Sequence, residues 1–210
     1  MAGWWPIRRQ VRKAGGRGWQ GAVAARLGGL LLVVLVAGCS SHALTYYVRE
    51  GADLTFIKKV AVMPLANNTK EKFAADRVRN IVLTQVLVDS LFDVTETGQL
   101  EKILEEEAGK ADAPLDEALA RRLGKRLSVQ AFLLGSVDAY DEERKGNYSY
   151  PVVAMTLKLV DAETGLILWQ ASGSYSGYSS WSRILGTQGR DQSAVTFRLV
   201  RSLLASLSGD

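Results

Sequence analysis

The stretch VVAMTLKLVDAETGLILWQASG, Val152 to Gly173, decides the fold. From Val152 to Asp161 apolar positions alternate with others, the two-residue period of a strand with one buried face. AETG, Ala162 to Gly165, is a turn in which Gly165 supplies a left-handed backbone position. LILWQASGSYSG, Leu166 to Gly177, returns as the partner strand, so the pair is an antiparallel hairpin.

Working outward, AFLLGSVDAYDEE, Ala131 to Glu143, reads as a long strand that turns polar at its end, and GNYSYP, Gly146 to Pro151, as the turn after it. Downstream of the hairpin comes a serine- and glycine-rich loop. Gln192 to Leu207 then forms a closing amphipathic helix, with Val195, Leu199, Leu203 and Leu207 on its buried stripe and Arg198 and Arg201 outside. The front half has a different rhythm. KKVAVMPL, Lys58 to Leu65, is a short continuous apolar run, the mark of a strand buried on both faces. Phe73 to Leu91 is helical, and Phe92 to Glu96 is a short strand. Thr97 is placed to cap the helix of GQLEKILEEEA, because its hydroxyl can accept from an unpaired backbone N–H. Leu115 to Leu127 is another helix, with Leu119, Leu123 and Leu127 four apart and its cations toward the C-terminal end. Helices first and a β-meander second predict an α+β fold, a mixed β-sheet covered by amphipathic helices, as one domain over residues 58–207.

The amino-terminal region reads as an address. Arg8, Arg9, Arg12, Lys13, Arg17 and Arg26 precede an uncharged run, Leu27 to Ala37, too short for the roughly 20 residues a membrane span needs. A basic region followed by a short apolar one and small residues makes residues 1–38 a secretory signal peptide. Its end, Val36-Ala37-Gly38-Cys39, resembles the bacterial lipoprotein box. That resemblance implies cleavage before Cys39, a diacylglycerol on its thiol and an N-acyl lipid on the new terminus. Cys39 is the single cysteine of the chain. With Ser40 after it, the resemblance implies the periplasmic face of the outer membrane. Residues 39–57 then read as lipidated terminus and tether; seventeen flexible residues would reach roughly 20–25 Å.

The same signal accounts for the charge. The chain has 26 basic and 22 acidic residues, and six of the basic ones precede Cys39, leaving 20 against 22. A pI near 9.2 is therefore no sign of nucleic-acid binding. Hydrophobic content of 47% and charge of 23% suit a folded domain with a proper core.

Catalytic groups are scarce. His42 is the only histidine and stands three residues from Cys39, so neither a serine triad nor a histidine metal site can form around it. No P-loop or dinucleotide fingerprint is present. Asp138 and Glu142 would share a strand face, but strand ends are commonly polar and solvated. The acidic run Glu105 to Glu107 reads as a solvated face rather than a metal site. We expect no enzyme, no metal and no cofactor beyond the lipid on Cys39. The segment SGSYSGYSSWSRILG, Ser172 to Gly186, carries Tyr175, Tyr178 and Trp181 at spacing three among serines and glycines. Aromatics amid small residues give large contact area at low entropic cost, which makes these three the candidate partner surface.

Four segments in order, KKVAVMPLANNT, LFDVTETGQLEKILEE, FLLGSVDAYDEE and LKLVDAETGLILWQASG, resemble the CsgG-like lipoproteins of the curli secretion channel. They are also similar to the LpoB-like activators of penicillin-binding proteins, with a fold like the amino-terminal domain of TolB. The resemblance implies an outer-membrane-anchored lipoprotein that binds envelope proteins in cell-wall synthesis or secretion. The alternative it implies is a ring-forming export component, a homo-oligomer whose subunits insert hairpins into the membrane. The matching insertion AYDEERKGNYSYP carries Asp141, Glu142, Glu143, Arg144 and Lys145, which does not read as lipid-facing.

Overall fold

In the computed structural model, the ladder between β5 (Ala131–Lys145) and β6 (Tyr148–Asp161) forms the spine of a mixed sheet. The structure describes residues 43–108, 115–178 and 191–207. β6 pairs antiparallel with β7 (Ile167–Ser176) through the turn at Gly165, whose φ of 69° lies in the left-handed region as the sequence predicts. On the other side of β5 run β2 (Lys59–Val62) and β4 (Asp93–Val94), both in parallel pairings. The strand order is β1-β7-β6-β5-β2-β4, with β1 running from Ala43 to Val48. Pro64, which has no N–H to give a ladder, interrupts the chain after β2; a two-residue β3 (Ala66–Asn67) then resumes parallel pairing with β5 further along.

Among the described residues, four helices cover this sheet unevenly. α1 (Ala74–Val88) and α4 (Gln192–Ala205) lie over one face. They bury Val78, Val82, Val86, Val195, Leu199 and Leu203 against Leu133, Met155, Leu157, Trp169 and Ala171. Trp169 is fully buried, and its indole N–H donates to Ser206 Oγ at 3.1 Å, which ties β7 to the end of α4. α2 (Thr97–Ala108) and α3 (Glu117–Leu127) pack on the opposite face around Phe132, Ala61 and Ala162. Their cover stops near β5. Thr45, Thr156, Lys158, Gln170 and Ser172 share the remainder of that face, half-buried or exposed, and Thr156 and Ser172 are joined by a hydroxyl–hydroxyl bond of 2.9 Å. The expected α+β architecture holds.

Three local expectations change. Residues 39–57 are not all tether: β1 (Ala43–Val48) pairs with β7 from Ala43↔Ser174 to Val48↔Trp169, and Leu54–Phe56 form a 3-10 turn capped by Asp53. Glu96, not Thr97, caps α2, its carboxylate accepting from the N–H of Gly98 at 2.9 Å and Gln99 at 2.7 Å. Those two bonds hold the Glu96 carboxyl below its usual pKa. Finally, the register of β5 slips between Val137 and Ala139, a bulge at Asp138. Asp138 bonds Asn68 at 2.8 Å and faces Thr156, while Glu142 falls two residues after buried Tyr140, on the other side. The bulge therefore separates the two carboxylates that the sequence placed on one face.

Candidate protein-binding site at the hairpin arm

Beyond the bulge, the β5–β6 ladder outruns the core. It continues from Asp141↔Val152 to Lys145↔Tyr148, and residues 141–147 are all exposed. Its tip is a two-residue turn, Gly146-Asn147, with Gly146 at φ 67° as such turns require. The expected turn GNYSYP is thus mostly strand: Tyr148 and Tyr150 stand on β6, one period apart, on the face the helices leave open.

Cross-strand pairing fixes the side chains of this arm. Glu143 lies opposite Tyr150, whose hydroxyl donates to Glu143 Oε2 at 2.9 Å. The bond to this carboxylate favours the neutral phenol and lifts the Tyr150 pKa above its ordinary value. Arg144 Nε donates to Ser149 Oγ at 3.3 Å. The chain leaving β7 comes back against the arm: Gly177 N–H donates to Pro151 O at 2.8 Å. There the Tyr178 ring meets Tyr150 edge to face, with centroids 5.2 Å apart. Lys145 Nζ sits 4.9 Å from the Tyr178 ring centroid, a cation–π distance. The result is an ordered patch of two tyrosines with a cation and a carboxylate already paired to them.

Of the three aromatics predicted as partner surface, the structure brings one to the arm. Tyr178 is there, half-buried. Tyr175 instead belongs to the core, 6% exposed, with the Arg198 guanidinium 5.1 Å from its ring centroid. On β7 its position alternates inward with Ala171, and that strand period overrides the three-residue spacing. Trp181 lies outside the described residues, as do His42 and Cys39. Tyr150, Lys145 and Glu143 were missed; the signal for them was the Gly-Asn dipeptide flanked by period-two aromatics and charges.

Elsewhere, several polar groups around one sizeable cavity among the described residues already bond to neighbouring groups. A cavity of about 430 Å³ lies between α3 and the β6–β7 turn, lined by Phe56, Arg121, Lys125, Gln130 and Asp161 among others. Asp161 Oδ1 accepts from the N–H of Glu163 and Thr164 and from the Thr164 hydroxyl. Gln130 Oε1 accepts from the N–H of Lys58 and Lys59, and Arg121 donates to Glu163 O. These groups brace the turn. Among the described residues no cluster of three or more histidine, cysteine or carboxylate side chains is placed to hold a metal. Glu106 and Glu107, expected to be a solvated face, pair with Arg126 and Arg122 across α2 and α3.

The arm is an exposed, internally paired surface of aromatic and charged side chains. Residues 41–175 match the family model of the peptidoglycan-synthase activator LpoB. That is more than half of the chain, and the protein belongs to this family. The matched family is not that of the curli secretion channel. None of the curated proteins matches the sequence significantly. Among solved structures, the chain is similar to the PelC dodecamer from Paraburkholderia phytofirmans at 20% identity, covering 79% of this chain and 96% of that one, with a TM-score of 0.55. It is also similar to lipoprotein GNA1162 from Neisseria meningitidis at 17% identity, covering 73% and 99%, with a TM-score of 0.53. At these identities the likeness is one of fold.

Proposed function

We propose that this protein is a non-catalytic lipoprotein of the outer membrane, facing the periplasm, that binds and activates a peptidoglycan synthase. The family match over residues 41–175 carries the reading. The hairpin arm supplies the contact: tyrosines recur at binding hot spots because they bury large area with few torsions to freeze. Cys39, acylated, holds the domain at the membrane. No nucleic acid and no cofactor enter this function.

The activity test measures glycan polymerisation by the peptidoglycan synthases of the same cell, with and without the full-length lipidated protein. Stimulation that falls at least tenfold in a Tyr150→Ala/Lys145→Glu variant of unchanged unfolding midpoint is the expected result. No stimulation of any synthase, with no synthase co-purifying from cross-linked envelopes, would sink the reading.

A second reading, a ring of subunits, has the fold likeness to the PelC dodecamer behind it. Native mass spectrometry of the lipidated protein in mild detergent decides it: a closed oligomer supports the ring, and a monomer removes it.

A further inference from the structure

The sheet ends at β1, and that edge is unusual in what it shows. Tyr46 is 58% exposed, Tyr47 52% and Val48 41%. By strand alternation the two tyrosines stand on opposite faces of the edge. Its inner side is taken by β7, so the outer backbone N–H and C=O groups have no neighbouring strand among the described elements. Natural edges of this kind are normally blunted by charge or proline. Here no residue from Cys39 to Val48 carries a fixed charge, and the first to do so, Arg49, donates from Nε to Ile167 O at 3.0 Å.

Chain length names what covers it. Ala43, the first residue of β1, follows Cys39 by four residues. Four residues span at most about 13–14 Å fully extended. A diacylglyceryl group on Cys39 Sγ places that residue in the headgroup zone, a layer about 5–8 Å thick in one leaflet. The edge strand is therefore leashed within a few residues' length of the lipid. Tyrosine, apolar in its ring and polar at its tip, is the side chain that partitions to this depth.

We propose that β1 is a membrane seat: Tyr46, Tyr47 and Val48 rest in the headgroups of the leaflet that holds the acyl chains. The sheet then stands on its β1 edge, with β4 turned to the periplasm. This rests on the lipid-anchor reading of Cys39, and the test separates the two.

The test uses the full-length lipidated protein in phosphatidylethanolamine–phosphatidylglycerol vesicles, recovered by flotation. Nitroxide labels go on Tyr47→Cys, Val48→Cys and, at the opposite edge, Asp93→Cys; the acylated Cys39 does not react. Oxygen accessibility relative to that of a water-soluble nickel chelate should be severalfold higher at the two β1 sites than at Asp93→Cys. Floated protein with the same ratio at all three sites overturns the seat and leaves the anchor intact. Protein that does not float overturns both. Spectral broadening at β1 that vanishes on dilution with unlabelled protein assigns the edge to a second copy, which also overturns the proposal.

Discussion

Arg79 is the residue on which three elements meet. Its side chain is 8% exposed, donates from Nε and Nη2 to Val62 O at 3.2 and 3.0 Å, and from Nη1 to Glu101 at 2.9 Å. Val62 ends β2 just before Pro64, so its carbonyl takes this guanidinium from α1, and the same group reaches α2. Arg79→Met keeps the volume but strands that carbonyl in the core, at a cost of about 2–3 kcal/mol. Glu101 is half exposed, and Glu101→Gln should cost less than about 1 kcal/mol. Urea unfolding of the two variants measures both; equal losses would mean that the ion pair, not the carbonyl, is what Arg79 serves. At the arm, Tyr150 is held neutral by Glu143. A raised folded pKa means this stabilisation is complete below the unfolded value near 10.0 and is lost as pH climbs through the folded one. Glu143→Gln should bring the Tyr150 titration back toward 10.0, seen in phenolate absorbance. An unchanged titration would say that the bond is not formed in solution.

Elements differ in how plainly the sequence announces them, and the reason is burial. β6 and β7 were legible because one face of each meets α1 and α4, so apolar residues recur at every second position. The helices were legible for the same reason at period 3.6. β1 was not: it lies at an edge with both its tyrosines exposed, so TYYV has strand-forming residues but no buried period. The arm was half legible. Its charges and tyrosines follow cross-strand pairing beyond the core, where alternation reports only which side chains face each other. The bulge at Asp138 left no trace in composition. Cap chemistry misled in a smaller way at α2, where Glu96 outcompetes the Thr97 hydroxyl with two charge-assisted bonds. Its lowered pKa fixes a pH dependence. The stabilisation is present above the unfolded carboxyl value near 4.5 and is lost as pH falls through the lower folded value. Hydrogen-exchange protection factors of the amides of residues 97–102 should therefore fall below pH 4.5 in the native protein and be low at all pH in Glu96→Gln. Protection that does not respond to pH would return the cap to Thr97.

For the whole molecule the decisive quantity is reach. Residues 39–57 as a flexible tether would let the domain sample roughly 20–25 Å, but β1 is part of the sheet. Under the proposed anchor, only Ser40, Ser41 and His42 separate Cys39 from β1, and the span from Cys39 to Ala43 is at most about 14 Å. Under the proposed lipid anchor, a domain held this close would not search the periplasm. On that reading its partner would come to the outer-membrane surface, and the arm would meet it at high local concentration. Lengthening the leash tests this without touching the fold. Fifteen Gly-Ser residues inserted after Ser41 leave the β1 register intact and add about 20–23 Å of root-mean-square reach. The volume open to the arm grows on the order of tenfold, and the effective concentration at the membrane falls in proportion. Stimulation of a synthase, or recovery of the partner from cross-linked envelopes, should fall by a similar factor while the unfolding midpoint stays where it was. If the long leash increases activity instead, the partner waits deeper in the periplasm and the native protein works at the limit of its tether.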